Sequence, residues 1–132
     1  MLGIDTASEL AKSPFAGSLF EGFVASEIVK AQVNGGGRRE IYHFRDEQGL
    51  EVDFVVPRRG GSLALVECKD TRTVRPAMAA PMLRLRAALE QHRQGTKVTM
   101  SLVHQAPKVA SGTEAVAPGV RAQTWRHFVE EL

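Results

Sequence analysis

Two runs of strand character, residues 51–56 (EVDFVV) and 63–69 (LALVECK), stand on either side of Arg58-Arg59-Gly60-Gly61, a turn sequence. They constrain the fold more than any other feature, because each carries charge inside an apolar run: Asp53 in the first, Glu67 and Lys69 in the second. A buried charge without a partner costs several kcal/mol or moves its pKa. A turn centred on Gly60 pairs residues whose numbers add to the same value. It sets Val55 against Leu65, Asp53 against Glu67 and Glu51 against Lys69. Opposed side chains in an antiparallel pair lie roughly 4.5–5.5 Å apart at Cβ and share a face. Period two puts Glu67 and Lys69 on that face and Cys68 on the other.

Two carboxylates so placed repel each other unless a cation or a proton intervenes. Mg²⁺ (or Mn²⁺) suits them, since it takes oxygen ligands and commonly uses one or two carboxylates together with phosphate oxygens and water. Asp53 and Glu67 are therefore the expected metal ligands. Such an ion polarises a phosphodiester and acidifies bound water. Lys69 would orient that water or stabilise charge developing on phosphate. The four histidines, His43, His92, His104 and His127, are scattered without zinc-ligand spacing and read as surface or packing residues.

The remaining pattern surrounds this hairpin with helices. From Ser18, the residues Leu19, Phe20, Phe23, Val24, Ile28 and Ala31 recur on one helical face, and Asn34-Gly35-Gly36-Gly37 stops the helix. Those glycines lack a following Gly-Lys-Ser/Thr, so they form no nucleotide loop. Residues 1–17 read as a lead-in with a short helical turn, and residues 18–132 as one domain. A first strand is expected at 40–45. A helix opened by Pro76 runs to about Arg93 with Met82, Leu85 and Leu89 as its stripe. A fourth strand follows at 97–104, a loop at 105–119, a short strand at 120–125 and a terminal helical turn at 126–132. Helix, three-strand meander, helix and two strands predict an α/β fold with a mixed central sheet flanked by helices.

Two acids on the first helix compete for the site. Glu27 lies near the middle of the apolar face and must serve the site or pair with an arginine such as Arg45. Glu21 lies at its edge, where solvation suffices. Cys68, Trp125, Phe128, Met78, Met82 and Leu85 read as packing residues.

Length and composition exclude other classes. A chain of 132 residues with 43% hydrophobic content is the scale of one core. No stretch is apolar enough to span a membrane, no secretion signal opens the chain, and a single cysteine fits a reducing cytoplasm. Net charge is only +2, but 12 of the 17 basic residues are arginine, the better bidentate ligand for phosphate. Arg38, Arg39, Arg58, Arg59, Arg72 and Arg75 are the candidate nucleic-acid contacts.

With these residues in place, the chain resembles the PD-(D/E)XK nuclease-like superfamily, and more closely the nuclease-like domain of unknown function at the C-terminus of many prokaryotic AAA+ ATPases. Gly17-Ser18-Leu19-Phe20-Glu21 with Phe23-Val24 and Glu27-Ile28 is similar to that family's first helix. Phe44-Arg45 with Glu51-Val52-Asp53-Phe54 is similar to its second block, Val66-Glu67-Cys68-Lys69 to its third, and Gly119-Val120 with Trp125 and Phe128 to its ending. The resemblance implies a restriction-endonuclease-like core and a metal-dependent DNA phosphodiesterase. It implies catalytic roles for Glu21, Asp53, Glu67 and Lys69; Glu27 and Glu51 are second-tier candidates from their own positions on the helix face and opposite Lys69. Val52 stands where the superfamily usually has proline. The resemblance also implies an ATPase domain upstream, outside this chain. The alternative is a catalytically inactive module of the same fold that binds DNA or protein for an attached ATPase, its charges closed into internal ion pairs such as Glu51–Lys69. A plain scaffold for oligomer assembly is the third reading.

Overall fold

The computed structural model describes residues 6–105 and 113–132. Among the described residues, four α-helices and six strands occur in the order α1 (Ala7–Lys12), α2 (Ala16–Asn34), β1 (Tyr42–Arg45), β2 (Glu51–Pro57), β3 (Leu63–Lys69), α3 (Ala80–His92), β4 (Val98–His104), β5 (Thr113–Ala117), β6 (Val120–Thr124) and α4 (Trp125–Glu130). The strands form one mixed sheet ordered β1-β2-β3-β4-β6-β5. The β1/β2, β2/β3 and β5/β6 pairs are antiparallel, and β3/β4 and β4/β6 are parallel. A parallel neighbour requires a crossover, and α3 supplies it between β3 and β4. The protein is therefore a mixed α/β fold with a six-stranded mixed sheet between helices.

Each face of the sheet buries its own core. Phe20, Val24 and Ile28 of α2 and Phe128 of α4 pack on Phe54, Val56, Ala64, Val66 and Val103. On the opposite face, Met82 and Leu85 of α3 pack with Leu50, Val52, Leu65, Met100, Leu102 and Val120. The alternation of β3 and β4 between these sets is the period-two pattern of a sheet buried on both sides.

The β2–β3 register is the expected one, from Pro57 opposite Leu63 to Phe54 opposite Val66. Gly60 and Gly61 at the tip have φ of +75° and +77°, backbone that a side chain at either position would strain. β1 departs from simple pairing. Tyr42 lies opposite Val55 while Phe44 lies opposite Val52, so one residue of β1, His43, faces two of β2, Asp53 and Phe54. That is a β-bulge, with the extra residue in the Asp53-Phe54 stretch. Its effect shows in the packing, because Val52 and Val55 serve the α3-side core whereas Phe54 and Val56 serve the α2-side core.

Several expectations need correction. The loop expected over 105–119 contains a strand, β5, which pairs antiparallel to β6. Residues 106–112 of that stretch, and 1–5 of the lead-in, lie outside the described residues. The lead-in holds a helix of its own, α1, and α2 begins at Ala16. Leu19 and Phe23, expected on the buried face of α2, are 43% and 39% exposed. Phe23 instead meets Trp125 edge-on, at a ring-centroid distance of 5.2 Å.

Candidate active site

At Asp53 the β2–β3 backbone ladder gives way to side chains. The Cys68 N–H donates to Asp53 Oδ2 at 2.7 Å, and the Asp53 N–H donates to Glu67 Oε2 at 3.3 Å. Each acid thus satisfies a backbone donor of the other's strand, which fixes both carboxylates in place. Bulges are frequent beside active sites because they re-aim a side chain, and this one sits at Asp53 itself. Lys69 closes the group with its Nζ 2.9 Å from Glu67 Oε1. The Glu67 side chain is 6% exposed and that of Lys69 37%, so the ammonium forms the rim over a buried carboxylate.

The electrostatics of the niche are short of positive charge. Burial lifts Asp53 above the usual carboxylate range against the opposing pull of the Cys68 N–H and Lys69. Burial, then the nearby Asp53, lifts Glu67 despite its bond to Lys69. Glu21 on α2 is also lifted, by burial first and by Asp53 next, while His43 and Lys69 act the other way. Burial opposes the charge of Lys69, but Glu67 and Asp53 outweigh it and hold the ammonium protonated above its ordinary range. The Cys68 thiol is pushed up by burial and then by the same acids, which makes it inert packing.

The structure separates the two helix acids. Glu21 shares the electrostatics of Asp53, Glu51 and Lys69. Glu27 is ion-paired with Lys30 one turn further along α2, a helical i,i+3 pair, and not with Arg45. Arg45 instead meets Glu51, its Nε 3.4 Å from Oε1, because the two residues are cross-strand partners in β1 and β2. The expected Glu51–Lys69 pair is therefore not formed. On the acid-side stretch of β2 the ladder partner of Glu51 is β1, and Lys69 takes Glu67.

His43 is exposed, as expected of a surface residue, and it also neighbours the acids, with Nδ1 3.2 Å from the Asp53 carbonyl oxygen and Nε2 3.8 Å from Glu51 Oε1. Of the six candidate arginines, Arg39 is exposed ahead of β1 and lines neither cleft of the hairpin tip, and the other five divide. Arg58 and Arg59 belong to the hairpin tip and Arg38 lies beside them, while Arg72 and Arg75 follow Lys69 at the acid end. Asp53 and Arg58 are five residues apart along an extended chain, about 17 Å.

The donor set suits a hard divalent cation. Asp53 and Glu67 offer only carboxylate oxygens, Asp53 Oδ1 has no hydrogen bond among the described residues, and each carboxylate oxygen has more than one lone pair. Among the described residues, no group of three or more His, Cys, Asp or Glu is placed to hold a metal alone. Two carboxylates completed by water and substrate oxygens is the usual protein contribution to Mg²⁺.

No helix among the described residues is long and apolar enough to cross a membrane. A family model described as "Domain of unknown function (DUF4143)" matches residues 16–116, from the first residue of α2 into β5. That span includes Glu21, Asp53, Glu67 and Lys69. Comparison with curated proteins gives no match, and comparison with solved structures gives none either.

Proposed function

The chain belongs to the DUF4143 family, and we propose that it is a metal-dependent DNA phosphodiesterase of the PD-(D/E)XK kind, with a restriction-endonuclease-like core. The observation that carries this reading is the reciprocal lock of Asp53 and Glu67. A buried Glu67 and a half-buried Asp53 held side by side, with the Lys69 ammonium on Glu67 at the rim, form a niche that suits a dication. Asp53 and Glu67 would hold Mg²⁺ or Mn²⁺. When bound, that ion supplies Lewis-acid polarisation of a phosphoryl oxygen and a more acidic water.

The chain's own residues do the rest. The bulge and the Cys68 N–H hold the Asp53 carboxylate in one orientation, so it needs no reorganisation as charge develops on the phosphoryl oxygens. Lys69, kept protonated by its two acids and partly open to solvent, donates to the attacking water or to a non-bridging phosphate oxygen. Glu21, lifted by burial and by Asp53, holds or accepts the proton that the water sheds. Arg72 and Arg75 lie just beyond Lys69 and bear on the substrate backbone there. In this reading an upstream ATPase domain delivers the DNA, in the cytoplasm.

The second reading is an inactive module of the same fold. The Lys69–Glu67 pair favours it, since that contact needs no metal. A cleavage assay on DNA with Mg²⁺ or Mn²⁺ separates the two. Cleavage by the parent that is lost in both Asp53→Ala and Lys69→Ala supports the enzyme. Cleavage retained by both variants would sink the site assignment. In calorimetry the parent binds Mn²⁺ with DNA present and Glu67→Gln does not, whereas absence of binding by either gives the inactive module.

A further inference from the structure

At the hairpin tip, away from the acids, two cavities of about 410 and 440 Å³ adjoin, with Arg58 and Leu132 in the walls of both. Arg38 and Arg59 line the first, Lys97 and Arg121 the second. Both sit at the same end of the sheet, because the Leu63 N–H bonds the Lys97 carbonyl at 2.9 Å and Leu63 pairs with Val98.

The charges facing this trough do not cancel. Arg121 is neutralised by Glu131, 3.1 Å away. Arg38, Arg58, Arg59 and Lys97 have no ion pair among the described residues, and the remaining acidic groups in the walls are the Glu40 side chain and the Leu132 main-chain carboxylate. The C-terminal dipole of α2 opposes an anion here, but only by a fraction of a charge. The first cavity is also held in shape. The Gln32 side chain donates to the Glu40 carbonyl at 2.8 Å and accepts from the Glu40 N–H at 3.0 Å, which closes the loop that carries Arg38. Four cations held unpaired around two linked clefts are a receptor for a linear polyanion.

We propose that this trough binds the phosphodiester backbone of a single nucleic-acid strand, at a site separate from the acid cluster. The two clefts join at Arg58 and Leu132, a run of surface that a flexible single strand can follow. Phe128, the aromatic in the wall, is buried, so no base is stacked and the recognition is of backbone alone. The inference does not depend on the phosphodiesterase reading.

Fluorescence anisotropy with a labelled single-stranded oligonucleotide, in EDTA, tests it on the whole chain. The double variant Arg58→Glu/Arg59→Glu should bind at least tenfold more weakly, with an unchanged thermal melt. Neutral replacement of the same pair by Ala should lower the slope of log K against log salt by about 0.7 per arginine. The assay in EDTA reads binding without metal or cleavage, which keeps this result apart from any failure of cleavage. Undetectable binding by the parent overturns the proposal. So does an equal loss from Arg72→Glu/Arg75→Glu, tighter binding of a polyglutamate peptide, or displacement of the strand by an equivalent amount of pyrophosphate.

Discussion

The two ends of the β2–β3 hairpin treat charge in opposite ways. At the acid end Glu67 is buried, and each of its oxygens is engaged, by Lys69 and by the Asp53 N–H. At the tip, Arg58 and Arg59 are exposed and have no ion pair among the described residues. Charge desolvated and fixed by backbone donors is costly to the fold and is offset by its ion pair, its hydrogen bonds and whatever binds there. Charge left solvated costs little and acts at longer range, screened by salt. α2 connects the two ends, with Glu21 near Asp53 and Gln32 at the arginine trough, eleven residues or about 16 Å along the helix. On the proposed reading, chemistry and capture fall at different ends of the same two strands.

The largest effect should separate the ends outright. Lys69→Ala should lower metal-dependent cleavage by about 10²–10³-fold, the size expected when one positioned donor is lost, while single-strand affinity in EDTA stays at the parental value. Gel-based cleavage rates and anisotropy check the two halves. A matched fall in both would mean that the ends form one site. Glu21→Gln should follow with about a tenfold loss of cleavage, and Glu27→Gln should show none, because Glu27 is spent on Lys30. Equal losses from both would remove Glu21 from the site.

Stability gives the next contrast, and its sign is fixed by the lifted acids. Asp53, Glu67 and Glu21 have folded pKa values above their ordinary ones. Their contribution to stability is complete below the ordinary carboxylate pKa and is lost as pH rises through the folded values. Asp53→Asn keeps an oxygen for the Cys68 N–H and deletes one charge. In EDTA at neutral pH it should melt about 3–6 °C above the parent, with the gap closing towards pH 4. Added Mn²⁺ should stabilise the parent and leave the variant unmoved. A variant less stable than the parent in EDTA would show that the Asp53 charge already has its partner, as the inactive reading requires.

Much of the acid end was legible because a tight turn is a local rule. Numbers summing about Gly60 gave the β2–β3 register directly. Centring the preceding turn on Gln48 pairs Arg45 with Glu51 and Phe44 with Val52, as observed. Continued by one step, it sets His43 opposite Asp53, so the signal for His43 was present and unused. The bulge was not legible, since it arises from fitting β1 and two cores to the same strand. β5 was hidden for a different reason. Thr113-Glu114-Ala115-Val116-Ala117 has little strand propensity and becomes a strand through its pairing with β6. The arginines were legible as a set but not as two sets, because a hairpin returns the chain to its start. Residues 58–59 and 67–69 are near in sequence and lie at opposite ends in space.

The smallest effect tests whether the tip is a prepared site or merely a basic surface. Gln32 joins the end of α2 to Glu40 through two side-chain-to-backbone hydrogen bonds, both at an exposed position. Removing it with Gln32→Ala should cost about 1 kcal/mol of stability, the net worth of such bonds in water, measured by urea denaturation. No charge changes, so a basic surface would bind a strand as before. A trough whose shape depends on that bridge would lose Arg38 from its wall, and strand affinity should fall about threefold to fivefold, within the energy of one such hydrogen bond. The salt slope should then drop by about 0.7, one phosphate's share. Unchanged affinity and slope would leave Arg58 and Arg59 as solvated charge and reduce the contrast between the two ends to a difference in exposure.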